Sequence, residues 1–227
     1  MNYQTKMKIK RWMRNPFITY GLLAIQIIFF ILMTIDGGST NVNTLLKYGA
    51  KYSPWIVRGD WWRLVMPMFL HIGMTHLLLN SVVLYFLGIQ LEGLFGPLRY
   101  LAIYLLSGLA GNIASFAFSD AISAGASTAL FGLFGAAVAL GKLYPGNFSM
   151  QSMARRFSML ILFNLIFGVF SSSIDLAGHI GGMIGGYTLT YILAPRPQIR
   201  RNKAAYIGLY IVFNVLMLAI GFGKYLL

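Results

Sequence analysis

The chain has 227 residues, of which 58% are hydrophobic and only 10% charged, and it contains no cysteine. A soluble domain of this length carries about a quarter charged residues, so the composition excludes one and describes a polytopic, all-α membrane protein. Without cysteine there is neither a disulfide framework nor a thiolate metal site. The net charge of +13 is spread between apolar runs rather than gathered on one face. It reads as a topology signal and not as a nucleic-acid surface.

Residues 1–16 form a short basic head. It superficially suits a signal peptide, but no small-residue cleavage site follows the first apolar run, which is expected to stay as an anchor. That first span is predicted over Phe17–Ile35. A long polar and aromatic connection, about Asp36 to Leu70, follows and holds Tyr48, Tyr52, Trp55, Trp61 and Trp62. Aromatic residues of this kind favour the membrane interface. Further spans are predicted over His71–Phe95, Leu98–Phe118, Ser127–Gly141, Phe157–Phe170, Leu176–Leu193 and Tyr206–Phe222. Seven spans leave only short loops, so residues 1–227 are expected to form one domain.

With the N-terminus inside, Lys47, Lys51, Arg58, Arg63 and Lys224 fall outside. The other thirteen of the 18 basic residues then lie inside, and this excess favours that orientation. Asp36, Asp60, Asp120 and Asp175 lie outside, and Glu92 inside. The second, fourth and sixth spans then all run inward from the outer face, so their early residues share a depth. Those residues are His71, His76 and Asn80, then Ser127, then His179. At 1.5 Å per residue Ser127 and His179 both lie within about 10 Å of the outer ends of their helices. Polar side chains in a bilayer are expensive and mark functional sites.

Glycine spacing supports convergence of these spans. Gly178, Gly182 and Gly186 recur at i, i+4 on the sixth span, with Gly181 and Gly185 on the adjoining row. Thr128, Gly132 and Ala136 form a matching small-residue seam on the fourth. Such seams let helix backbones approach closely, which would bring His179 within reach of Ser127. His76 and Asn80, at i, i+4, share one face and could both donate hydrogen bonds to a developing oxyanion. His71 is turned away and is expected to tie the interfacial connection to a helix end. Each feature also has a structural alternative: a capping serine, glycines that serve packing alone, a satisfied interior His179, and an interhelical hydrogen bond for His76 and Asn80.

Taken together and in order, these motifs resemble the rhomboid family of intramembrane serine proteases. Trp62-Arg63 is similar to the family's pair in the first loop. His71-Ile-Gly-Met-Thr-His76-Leu-Leu-Leu-Asn80 is similar to its HxxxxHxxxN motif. Glu92-Gly-Leu-Phe-Gly96-Pro-Leu-Arg99 resembles ExxxGxxR, Gly125-Ala-Ser127 opens the nucleophile motif, and Ala177-Gly-His179-Ile-Gly181-Gly182 resembles AHxxG. The resemblance implies a rhomboid-like helical bundle of six core helices, with residues 204–227 as an additional C-terminal helix. It also implies Ser127 as nucleophile, His179 as general base, and His76 and Asn80 as oxyanion donors. The substrates implied are single-span membrane proteins within the lipid bilayer of a bacterial cell membrane, with no metal or organic cofactor and no nucleic acid.

Two positions depart from the family pattern. Thr128 stands where the motif GxSG ends in glycine, and Phe131 stands where some members carry an aromatic hydroxyl. Ring stacking on His179 survives the second change; a hydrogen bond does not. Asp175, four residues before His179, is expected to cap the sixth span rather than complete a triad. A silent relative that binds transmembrane clients, or a histidine-dependent transporter, are the alternatives. The second predicts acidic partners at membrane depth and a repeated architecture, and neither is visible in the sequence.

Overall fold

The computed structural model describes residues 15–170, 174–195 and 203–226. The basic head before residue 15, the serines at 171–173 and the basic stretch at 196–202 lie outside the described residues, and with them several of the cations used for orientation. Nine α-helices are described, α1 to α9 in chain order.

Helix α1 covers Phe17–Ile35, as the hydropathy predicts. Its N-terminus is capped from a distance by Glu92, whose carboxylate accepts the Ile18 and Thr19 N–H groups (3.0 and 2.8 Å) and the Thr19 hydroxyl (2.7 Å). A buried acid at a helix N-terminus satisfies orphan donors and complements the dipole. Glu92 is thus tied to α1.

The connection after α1 is folded. It contains α2 (Val42–Tyr48), α3 (Ser53–Val57) and two 3₁₀ turns at Trp61–Leu64 and Met66–Phe69. Arg63 organises it. Its guanidinium donates to the Leu46 and Ala50 carbonyls (2.8 and 3.1 Å), pairs with Asp60 (2.8 Å) and lies over the Trp55 ring at 4.4 Å. Lys51 and Arg63, counted in the sequence only for their side of the membrane, are both buried. Buried cations need fixed acceptors, and backbone carbonyls of this connection and the α5–α6 loop supply them.

The long helices follow as α4 (Met74–Phe95), α5 (Pro97–Phe118), α6 (Ser127–Leu143), α7 (Phe148–Val169), α8 (Leu176–Leu193) and α9 (Lys203–Gly223). Gly96, at φ +78°, makes the turn between α4 and α5, a conformation glycine adopts without strain. Helix α4 begins at Met74 and not at His71, because Gly73 (φ +78°) interrupts the backbone there. Helix α7 starts nine residues before the predicted Phe157; the Asn147 side chain caps it by accepting the Met150 N–H (3.1 Å).

Five helices, α1, α4, α5, α7 and α9, are long and apolar enough to cross a membrane. Of the seven predicted spans, α6 and α8 fall short of that measure. Helix α6 has 17 residues, about 25 Å against a hydrocarbon core of ~30 Å. Five glycines and His179 dilute α8. The reason is position: α6 buries 13 of its 17 residues, enclosed by α5, α7 and α8. A helix wrapped in protein presents little surface to lipid and can be short or polar.

The glycine rows pack as their spacing implies. A methyl group placed on Gly182 or Gly186 would strike the Thr128 or Gly132 carbonyl of α6. On the adjoining row, Gly181 and Gly185 face Ala110 and Ala114 of α5. Helix α8 therefore sits in backbone contact between α5 and α6. Helix α9 lies on the outside against α5 and α8, with the Tyr210 hydroxyl donating to the Leu106 carbonyl (2.8 Å).

Candidate active site

Ser127 opens α6, and the loop before it is held by the first connection. The Lys51 and Ser123 backbones pair as an isolated antiparallel bridge (2.9 and 3.2 Å). The Gly125 N–H donates to the Pro67 carbonyl (2.9 Å), and the Ala126 N–H donates to Nε2 of His71 (3.4 Å). His71 is fully buried, with its ring centroid 5.3 Å from that of His76. The histidine expected to tie the connection to a helix end thus ties it to the start of α6. It is an acceptor for the nucleophile loop, and it stands just before α4 rather than on it.

Backbone contact between α6 and α8 begins one residue past Ser127. A Cβ at Gly178 would stand 3.0 Å from the Thr128 methyl carbon, and one at Gly182 would strike the Thr128 carbonyl. Ser127 precedes that contact on α6, and His179 lies within it on α8. Phe131, one turn along α6 from Ser127, lies flat against the His179 ring. His179 is buried, and its Nδ1 has no hydrogen-bond partner.

His76 reaches the site from α4. A Cβ on Gly125 (φ +155°) would stand 2.6 Å from Cε1 and 2.9 Å from Nε2 of His76. The imidazole thus lies on the backbone two residues before Ser127, and only glycine leaves room for it. Asn80, on the same face of α4, donates from Nδ2 to the His76 carbonyl (2.8 Å).

Ser127, His179, His76 and Asn80 all line one cavity of about 560 Å³. The size suits a few residues of an extended peptide. Early residues of α4, α6 and α8 meet there, the shared depth expected from sequence. Helices α4 and α7 flank the cavity without substantial packing between them. Asp175 also lines it, but its carboxylate is committed elsewhere: Oδ1 accepts the Gly178 N–H (2.9 Å) and Oδ2 accepts the Ser115 hydroxyl in a short hydrogen bond.

Sequence reasoning missed two carboxamides that line the cavity. Asn112 of α5 lines it while donating to the Leu64 carbonyl (2.9 Å), and Asn164 enters from α7. The available signal was a carboxamide inside an otherwise apolar span. The same reading counted Lys51 only for its charge. Among the described residues no cluster of histidines and acids could hold a metal ion.

A helical membrane bundle with a serine and a histidine on crossing helices, facing one cavity, defines the class. Residues 58–196 match the Rhomboid domain family model, and the chain belongs to the rhomboid family. It is an integral, multi-pass membrane protein. Rhomboid protease GluP of Bacillus subtilis (strain 168) is 41% identical over 209 residues, covering 92% of this chain and 40% of that protein. YdcA of the same bacterium is 29% identical over 201 residues, 88% of this chain and 96% of the other. Rhomboid-like protease 3 of Toxoplasma gondii is 36% identical over 170 residues, 72% of this chain and 64% of that protein. The chain thus spans less than half of GluP and nearly all of YdcA.

Proposed function

We propose that this protein is an intramembrane serine endopeptidase that cleaves transmembrane segments of single-span proteins in a bacterial cell membrane. The observation that carries the reading is the shared cavity of Ser127, His179, His76 and Asn80, with Phe131 stacked on the histidine. Membership of a family whose relatives are named as proteases supports the same activity.

Neutral His179 takes the Ser127 hydroxyl proton as Oγ attacks the scissile carbonyl carbon. The carbonyl π bond breaks, and the tetrahedral oxyanion is held by His76, by the Asn80 carboxamide and by backbone N–H at Ser127. For this the Asn80 amide leaves the His76 carbonyl and turns into the cavity. Collapse restores the carbonyl, breaks the C–N bond and passes the proton from His179 to the departing amine. Water, deprotonated by the same imidazole, then attacks the acyl-enzyme and frees Ser127. The gap between α4 and α7 is where a substrate helix would enter, unwound over the residues it presents to Ser127.

The reading is tested by incubating purified protein with a panel of single-span substrates. Wild type cleaves at least one, while Ser127→Ala and His179→Ala cleave none and remain folded. His76→Ala and Asn80→Ala each lower turnover by ~10²–10³ with little change in substrate binding. Near-wild-type proteolysis by either dyad variant would overturn the assignment.

A further inference from the structure

Lys51 is a fully buried lysine that the chemistry above does not use. Its ammonium donates to one described acceptor, the Ser119 carbonyl (2.6 Å), at the C-terminal end of α5. Its own backbone pairs with Ser123 in both directions. One residue thus clasps both ends of the turn from Ser119 to Ser123, and that turn leads through Gly125 to Ser127. The link also continues towards the histidine. The Ser119 N–H donates to the Ser115 carbonyl (2.8 Å), and the Ser115 hydroxyl donates to Asp175, whose other oxygen caps α8 at Gly178.

We infer that Lys51 is a positioning residue for catalysis: its charged side chain fixes the loop that presents Ser127 and couples it to the cap of the helix bearing His179. This deepens the dyad reading and rests on it. A buried charge is a costly choice for a mere strut, since a neutral side chain would spare its desolvation. What a charged donor adds is a stronger, more directional hydrogen bond to a loop carbonyl.

The charged groups around Lys51 come from three directions. Asp175 faces it from the α8 cap and Asp120 from the α5–α6 loop, and both favour the ammonium. Lys224, beyond the end of α9, opposes it, and is itself paired with Asp120 at 2.8 Å. Burial outweighs the acids and pulls the Lys51 pKa down from 10.5 to about 8. The folded protein therefore gives up this proton at a lower pH than the unfolded chain does. Between about pH 8 and 10.5 the unfolded chain holds the extra proton, so this group's contribution to stability rises with pH across that window. The clamp weakens over the same range as the ammonium becomes an amine. Positioning thus predicts that catalysis falls while this group's contribution to stability rises, whereas a strut predicts the same rise in stability with no alkaline loss of catalysis.

The test measures the rate at which a fluorophosphonate probe acylates Ser127, alongside kcat and KM for a transmembrane substrate and the melting temperature, from pH 6 to 10. The proteins are full-length wild type, Lys51→Met and Ser127→Ala. In wild type, labelling and kcat fall above an apparent pKa near 8. Lys51→Met lowers both by about ten- to a hundredfold at pH 7, the scale of one charged hydrogen bond, leaves KM within about threefold and lacks that alkaline limb. The melting temperature of wild type relative to Lys51→Met rises over the same range. The inference is overturned if Lys51→Met keeps wild-type rates and pH profile, or if it loses activity only by unfolding. Labelling that persists in Ser127→Ala would instead overturn the nucleophile assignment, a separate failure read from a separate variant.

Discussion

Phe131 lies flat against His179, with ring centroids 4.0 Å apart and planes within 11° of parallel. Four residues separate Phe131 from Ser127 on α6, so the helix that carries the nucleophile also carries the surface on which the base rests. With Nδ1 free of any partner, stacking is what holds the imidazole plane.

Removing that surface should separate orientation from chemistry. Phe131→Ala is expected to lower kcat by about tenfold or more and to cost ~3 kcal/mol of stability, as for other buried aromatic truncations. Phe131→Tyr and Phe131→Leu keep contact with the imidazole. The tyrosine variant, which preserves the stacked face, should hold kcat within about threefold of wild type, and the leucine variant should fall between the two. Kinetics on a transmembrane substrate, with melting curves for each variant, check the order. Equal kcat for Phe131→Ala and wild type would show that the ring is packing alone.

Thr128 fills the position where the family motif has glycine, and the fold shows what its side chain does there. It is buried, its methyl group meets Gly178 and its hydroxyl finds no protein partner. Thr128→Gly should therefore lose packing and gain backbone freedom, ~1–2 kcal/mol in all, while activity stays at or above the wild-type level. Thr128→Val keeps the shape and removes the unpaired hydroxyl, so its activity should match wild type and its melting temperature should not fall. A tenfold loss of turnover in the valine variant would place the hydroxyl in the chemistry.

The sequence carried the site further than it carried the scaffold, for a physical reason. Small residues at four-residue spacing admit few arrangements, so the Gly178/Gly182/Gly186 row can be matched to Thr128/Gly132 from the sequence alone. Helices α1 and α8 likewise have the predicted bounds, because apolar runs end sharply at Asp36 and begin at a capping Asp175. Hydropathy failed where helix and apolar run do not coincide. Residues 148–156 are too polar to read as a span, yet they continue α7 beyond its apolar part. Charge counting gave Lys51, Arg63 and Glu92 a side of the membrane but not their partners, which are groups distant in sequence or spread through a folded connection. No periodicity marks such pairings, and only the assembled fold reveals them.

Asp175 poses the question of whether the dyad is a triad. It stands one turn before His179, the place from which an acid could orient an imidazole as in soluble serine proteases. Both its oxygens are otherwise occupied: one accepts the Gly178 N–H at 2.9 Å as the α8 N-cap, and the other accepts the Ser115 hydroxyl. Its backbone carbonyl, moreover, accepts the His179 N–H at 3.0 Å, as expected of a residue entering a helix. A carboxylate so held serves the helix start, while Nδ1 of His179 remains without a partner. Asparagine offers the same oxygen to Gly178, and its amide can donate to the Ser115 oxygen in place of the lost acceptor. Asp175→Asn should therefore keep kcat within about threefold of wild type, because asparagine caps as well as aspartate. Asp175→Ala loses the cap and leaves the Ser115 hydroxyl unpaired, which should cost ~1–2 kcal/mol and lower the melting temperature by several degrees. A thousandfold fall in kcat for Asp175→Asn, at unchanged melting temperature, would mean that the carboxylate turns to His179 when substrate is bound and that the site works as a triad.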